Sequence, residues 1–96
     1  MVTLVTGDTL DKAAALLKAL DQLNRLQMVN ILMNGERHVG ELEKILGIKQ
    51  STTSIQLSKL KRDGVLKSRR DSNKTYYFLA NNGVKRIVKS IIAEIR

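Results

Sequence analysis

A mainly α-helical single domain carrying one small β-hairpin is the fold class this sequence predicts, and three observations predict it. The chain has 96 residues, enough for one hydrophobic core and too few for two. No proline occurs, and Gly7, Gly35, Gly47, Gly64 and Gly83 divide the chain into pieces of helical length. One piece, Val65 to Leu79, abandons the helical period for β-branched and aromatic residues around a polar turn.

After Gly7, Asp8 or Thr9 can cap a helix in which Leu10, Ala13, Leu17 and Leu20 recur at helical spacing, ending near Leu20. The next pattern, Leu23, Leu26, Met28, Val29, Ile31 and Leu32, is denser in apolar residues and stops at the turn pair Asn34-Gly35, as a core helix would. A short third helix over Val39 to Leu46 places Val39, Leu42, Ile45 and Leu46 inward and ends at Gly47, the residue favoured just past a helix end. Gly47 to Gln50 has the length of a tight helix-helix turn. Ser51, Thr52, Thr53 and Ser54 supply capping hydroxyls for a helix reaching Arg62. In the hairpin, Val65 and Leu66 lead to a tip, Arg69 to Lys74, and Thr75 to Leu79 return. Tyr76, Tyr77 and Phe78 read as core and strand-pairing residues, with Tyr76 and Phe78 on one face. The closing helix, Asn82 to Arg96, aligns Val84, Ile87, Val88, Ile91, Ile92 and Ile95, with Lys85, Arg86 and Lys89 outside the stripe.

Composition narrows the function. A hydrophobic fraction of 43% with 27% charged residues is that of an ordinary globular chain. No segment approaches the roughly 18 apolar residues of a membrane span, and Met1 to Asp8 has no basic leader, so a cytoplasmic protein without a membrane partner is expected. The absence of cysteine removes disulfides, iron-sulfur clusters, thiolate metal sites and cysteine nucleophiles together. His38 is the only histidine, and Glu41 and Glu43 beside it point to different helix faces, so no metal site and no cofactor are expected. No GxSxG or P-loop pattern occurs, which argues against an enzyme. Residues 1–48 hold five basic and six acidic side chains, a balance of -1; residues 49–96 hold twelve and three, a balance of +9. A cation excess gathered in one half points to a polyanionic partner.

Three helices followed by a basic-tipped hairpin make a winged helix-turn-helix, here one domain over 1–96 with the helix-turn-helix at 39–62 and the wing at 65–79. In the helix from Ser51, one stripe, Thr53, Leu57 and Leu60, is apolar enough to be buried. A second, Thr52, Ile55, Gln56 and Lys59, has no packing duty in this reading and is suited to base edges. Gln56 can present an amide to adenine, Thr52 a hydroxyl and methyl, and Ile55 a surface for a thymine methyl. Gln50, Ser51 and Ser54, near the helix N-terminus, suit a phosphate. Arg69, Arg70 and Lys74 in the wing can grip the backbone or enter the minor groove. The first and last helices, 1–20 and 82–96, carry more apolar surface than this core can cover, which predicts a homodimer and an inverted-repeat operator.

The chain resembles the ArsR/SmtB-like transcriptional repressors of bacteria and archaea over roughly Asp21 to Leu79. The likeness rests on Arg25-Leu26 leading into Ile31-Leu32, on Val39-Gly40-Glu41-Leu42, on the run from Leu46 through Gln50 and Gln56 to Leu60, on Asp63-Gly64-Val65-Leu66, and on Arg69-Arg70-Asp71 before Tyr76-Tyr77. It implies a winged-helix homodimer joined by its end helices, repressing an operator until an inducer lowers its affinity. This sequence departs from the family in lacking Pro before Arg25, in having Gln56 where His is common, and in having Ser72 where Gly is common. Where the family's thiol metal site would stand, the residues are His38-Val39-Gly40, and the last helix offers only Glu94 for the other metal site. The likeness therefore carries the DNA-binding part and not the metal-sensing part. The inducer is not legible. A rival reading makes the same winged fold an interaction module for protein or RNA; the basic half favours nucleic acid, and the sparse aromatics disfavour single-strand stacking.

Overall fold

A computed structural model describes residues 2–96. In chain order it contains α1 (Gly7–Ala19), α2 (Leu23–Leu32), β1 (Arg37–His38), α3 (Val39–Leu46), α4 (Gln50–Arg62), β2 (Leu66–Asp71), β3 (Lys74–Leu79) and α5 (Asn82–Ile95). The helices and hairpin fall where the sequence predicts them, and β1 is an addition. It pairs antiparallel with β3, Arg37 against Tyr77 and His38 against Tyr76, so the wing is a three-stranded sheet in the order β1-β3-β2. No helix among the described residues is long and apolar enough to cross a membrane.

Helix ends depart from expectation in two places. At α1 the cap is Thr6, whose Oγ1 accepts from the Thr9 backbone N–H at 3.4 Å, rather than Asp8 or Thr9. At α4 the helix starts one residue early, at Gln50, and no side chain caps it; Thr53 instead donates its hydroxyl to the Lys49 carbonyl at 3.0 Å. The hydroxyls of Ser51 and Thr52 are thereby left exposed. At α3 the N-cap is His38. Its Nδ1 accepts from the Gly40 N–H at 3.1 Å while Glu41 accepts from the His38 N–H at 3.2 Å, a reciprocal cap that satisfies two orphan donors.

The core gathers Met28, Val29 and Leu32 of α2, Leu42 of α3, Leu57 and Leu60 of α4, Val65 and Leu66, and Val84 and Val88 of α5. From α1 only Ala19 is buried in it, with Leu20 just beyond the helix end and Leu16 packed against it. Leu20 is thus a core residue and not part of a free dimerisation face. Ile45, expected inward, is 56% exposed on the side of α3 that faces a surface pocket against α2. Leu10 and Leu17 of α1 and Ile87, Ile91 and Ile95 of α5 stay exposed, leaving apolar surface on both end helices.

Candidate nucleic-acid interface

In α4 the buried stripe is Thr53, Leu57 and Leu60, as the spacing predicts. The opposite face consists of Ser51, Ile55, Ser58 and Arg62, at i, i+4, i+7 and i+11, with Thr52 beside it and Gln50 at its start, all exposed. Ile55 is 55% exposed in the middle of this polar surface. The face is rotated from the Thr52, Ile55, Gln56, Lys59 stripe towards Ser58 and Arg62, which the sequence reading missed. Continuing the buried stripe half a turn round the helix would have found them.

Gln56 and Lys59 lie on the flank, both half-buried, as is Ser54. The expectation that this stripe has no packing duty is corrected for Gln56: its Oε1 accepts from Arg25 Nε at 2.7 Å, tying the start of α2 to the middle of α4. The same bond fixes which way the amide faces, since only its oxygen can accept from a guanidinium. Lys59 lines a pocket with Arg25 and the end of α1.

The wing differs from the expected polar tip. Its turn is two residues, Ser72 and Asn73, and Ser72 sits at φ 56°, the left-handed region that explains the preference for glycine there. Arg69 and Arg70 belong to β2 and point to opposite faces. Arg69 is not a free cation: its Nε donates to Glu36 Oε2 at 2.9 Å and its Nη2 to Glu36 Oε1, a bidentate pair. These bonds hold the Glu36 carboxyl below its ordinary value and raise the Arg69 guanidinium above its own. The guanidinium also lies 4.7 Å from the Tyr76 ring centroid, and His38 meets that ring edge-on at 5.6 Å. Tyr76 is accordingly a member of this outer-face stack rather than of the core, while Tyr77 and Leu79 pack on the core. Arg70 and Lys74 remain exposed, with no ion pair among the described residues.

Helix and wing are linked directly, Lys61 Nζ donating to Ser68 Oγ at 2.7 Å and the Val65 N–H to the Leu60 carbonyl at 2.9 Å. Among the described residues no three His, Cys, Asp or Glu side chains gather as metal ligands. A groove between α2 and α5 is lined by Asn30, Met33, Lys89, Ile92, Ala93 and Arg96.

An exposed helix with an uncapped N-terminus, preceded by a tight turn and a shorter helix and flanked by a basic hairpin, defines a winged helix-turn-helix. Comparison with known proteins gives the family. The model of the bacterial regulatory proteins of the arsR family matches residues 23–68. The chain is 37% identical to the transcriptional activator HlyU of Vibrio cholerae over 81% of its own length and 72% of the relative's. It is 38% identical to the biofilm growth-associated repressor of Agrobacterium fabrum over 85% of its length and 70% of the relative's. Among solved structures, the homodimeric winged helix-turn-helix DNA-binding domain of Mb0332 from Mycobacterium bovis superposes with a TM-score of 0.84 at 30% identity, covering 99% of this chain and 90% of that one. The chain belongs to the ArsR family.

Proposed function

We propose that this chain is a cytoplasmic, homodimeric, sequence-specific double-stranded-DNA-binding regulator of transcription that represses an inverted-repeat operator. The observation that carries the reading is the free face of α4, with Ile55 at its centre, bonded beside a basic wing by Lys61 and Ser68. Gln50, Ser51 and Thr52 meet phosphate and base edges at the start of the helix, Ile55 packs on a methyl group, and Gln56 offers its Nε2 while Arg25 holds its oxygen. Half-buried Ser54 and Lys59 serve at the edges of that surface. In the wing the grip on phosphate falls to Arg70 and Lys74, because the charge of Arg69 is met by Glu36.

The exposed apolar residues of α1 and α5 favour a second copy of the chain as their cover, in keeping with the homodimeric Mb0332 domain. Among the relatives, one is named an activator and another a repressor. Footprinting on DNA upstream of the protein's own coding region is the test. Two protected half-sites about 10 base pairs apart, with affinity falling steeply with salt and the site favoured over random duplex, are expected. Lack of duplex binding at low salt would overturn the reading in favour of a protein-interaction module.

A further inference from the structure

Where the end of α1, the start of α2 and the C-terminal half of α4 meet, there is a pocket of about 340 Å³. Four cations line it, Lys18, Arg25, Lys59 and Arg62, against one carboxylate, Asp63, which accepts from Arg62 Nε at 3.4 Å. Arg25 differs from the others in being only 9% exposed. Its charge is met by no carboxylate among the described residues. Both of its acceptors are neutral: Gln56 Oε1 takes Nε at 2.7 Å and the Ala19 carbonyl takes Nη1 at 3.2 Å. A guanidinium has five N–H groups, so three remain. No sealed side-chain nitrogen or oxygen among the described residues lacks a partner, so the unbonded Nη2 keeps some exposure, and Arg25 is one of the pocket's lining residues. A cation removed from water without a counter-charge is costly, and three further cations around it raise that cost. An anion in the pocket would offset that cost.

We propose that this pocket binds a phosphate group, with Arg25 as its floor and Lys18, Lys59 and Arg62 as its rim. A planar fork combined with flexible cations on several sides suits an anion that carries several oxygens and more than one charge. The phosphate has two sources, the backbone of a duplex lying along α4 or a soluble phosphate-bearing anion. The duplex source rests on the function proposed above, and the soluble source does not. Either way the occupant reaches the recognition helix, because the guanidinium that would receive it also holds Gln56.

The experiment compares the full chain with the Ala15→Glu, Lys18→Gln double variant, both positions lining the pocket and neither lying on the free face of α4. Isotope-labelled protein is titrated with inorganic phosphate at constant ionic strength while backbone amide shifts are followed, and binding to a random-sequence duplex is measured against salt. Saturating shifts confined to the amides around Lys18, Arg25 and Lys59 to Asp63, lost in the double variant with the rest of its spectrum unchanged, support a soluble phosphate. A salt slope flattened by about one unit per protomer in the double variant supports a backbone phosphate. Both responses support both sources. Neither response, or shifts that spread over every basic segment without saturating, overturns the proposal. Failure of any duplex to bind sinks the operator reading and leaves the phosphate titration to decide this one.

Discussion

Arg25 of α2 donates its Nε to Oε1 of Gln56 in α4 at 2.7 Å, so a buried cation holds an amide on the flank of the recognition helix. Under the proposed function, the amide that would read a base is oriented before DNA arrives, so less side-chain freedom would be lost on binding. It also has a place in the fold. Gln56→Ala should weaken operator binding by about 1 to 3 kcal/mol while random-duplex binding changes little. It should in addition destabilise the free protein by about 1 to 3 kcal/mol, because Arg25 Nε is left without an acceptor. Equal losses on operator and random DNA, with unchanged denaturant stability, would contradict both halves.

Arg69 and Arg70 are adjacent in sequence and should behave differently. Arg70→Ala is expected to weaken binding to all duplexes and flatten the salt slope by about one unit per lost contact and protomer. Arg69→Ala should leave that slope nearly unchanged, since its guanidinium already faces Glu36. Salt titrations of the two variants side by side decide it.

The Glu36 carboxyl, held below its usual 4.5 by hydrogen bonds from Arg69, binds fewer protons folded than unfolded. The stabilisation it provides is complete above the unfolded pKa and is lost as pH falls through the lowered native value. The pair is exposed, so the effect is small. A melting-temperature gap between wild type and Glu36→Gln should hold steady near neutrality and close below about pH 4. A gap that widens in acid would contradict the assignment.

Ile87, at 38% exposure, and Ile91, at 42%, lie on the free face of α5. Ile87→Glu with Ile91→Glu should turn a dimer into a folded monomer at micromolar concentration, read by sedimentation and circular dichroism. A wild-type protein already monomeric there would remove the basis for a two-fold operator.

DNA affinity should be indifferent to zinc, arsenite, copper and peroxide. The chain has no cysteine, and among the described residues no cluster of ligating side chains offers a closed shell. A metal-dependent change above about tenfold, or about 1.4 kcal/mol of coupling, would show that His38 and its neighbouring carboxylates form a site after all.

Local patterns made most of the architecture legible. Val84 and Val88 at helical spacing, Gly47 at φ 69° after α3, and the break in period at Val65 each announce an element through neighbours in sequence. β1 escaped because two residues, Arg37 and His38, carry no period and find their partners, Tyr77 and Tyr76, far along the chain in β3. The site divided in the same way. The free face of α4 follows from helical geometry, whereas Arg25 on Gln56 and Arg69 on Glu36 join residues more than thirty apart. No local spacing encodes such pairs. The sequence shows which side chains carry charge, and only the fold shows which charges are already spoken for.

The Lys61 to Ser68 bond, with the backbone bond from Val65 to Leu60 beneath it, ties the end of α4 to the start of the wing as two arms of one unit. Were both arms to hold this span on a duplex, the duplex would have to bend to bring bases and backbone to both at once. Operators altered only at base pairs that neither arm touches should then differ in affinity, flexible steps such as TA above stiff A-tracts, by up to a few kcal/mol of deformation energy.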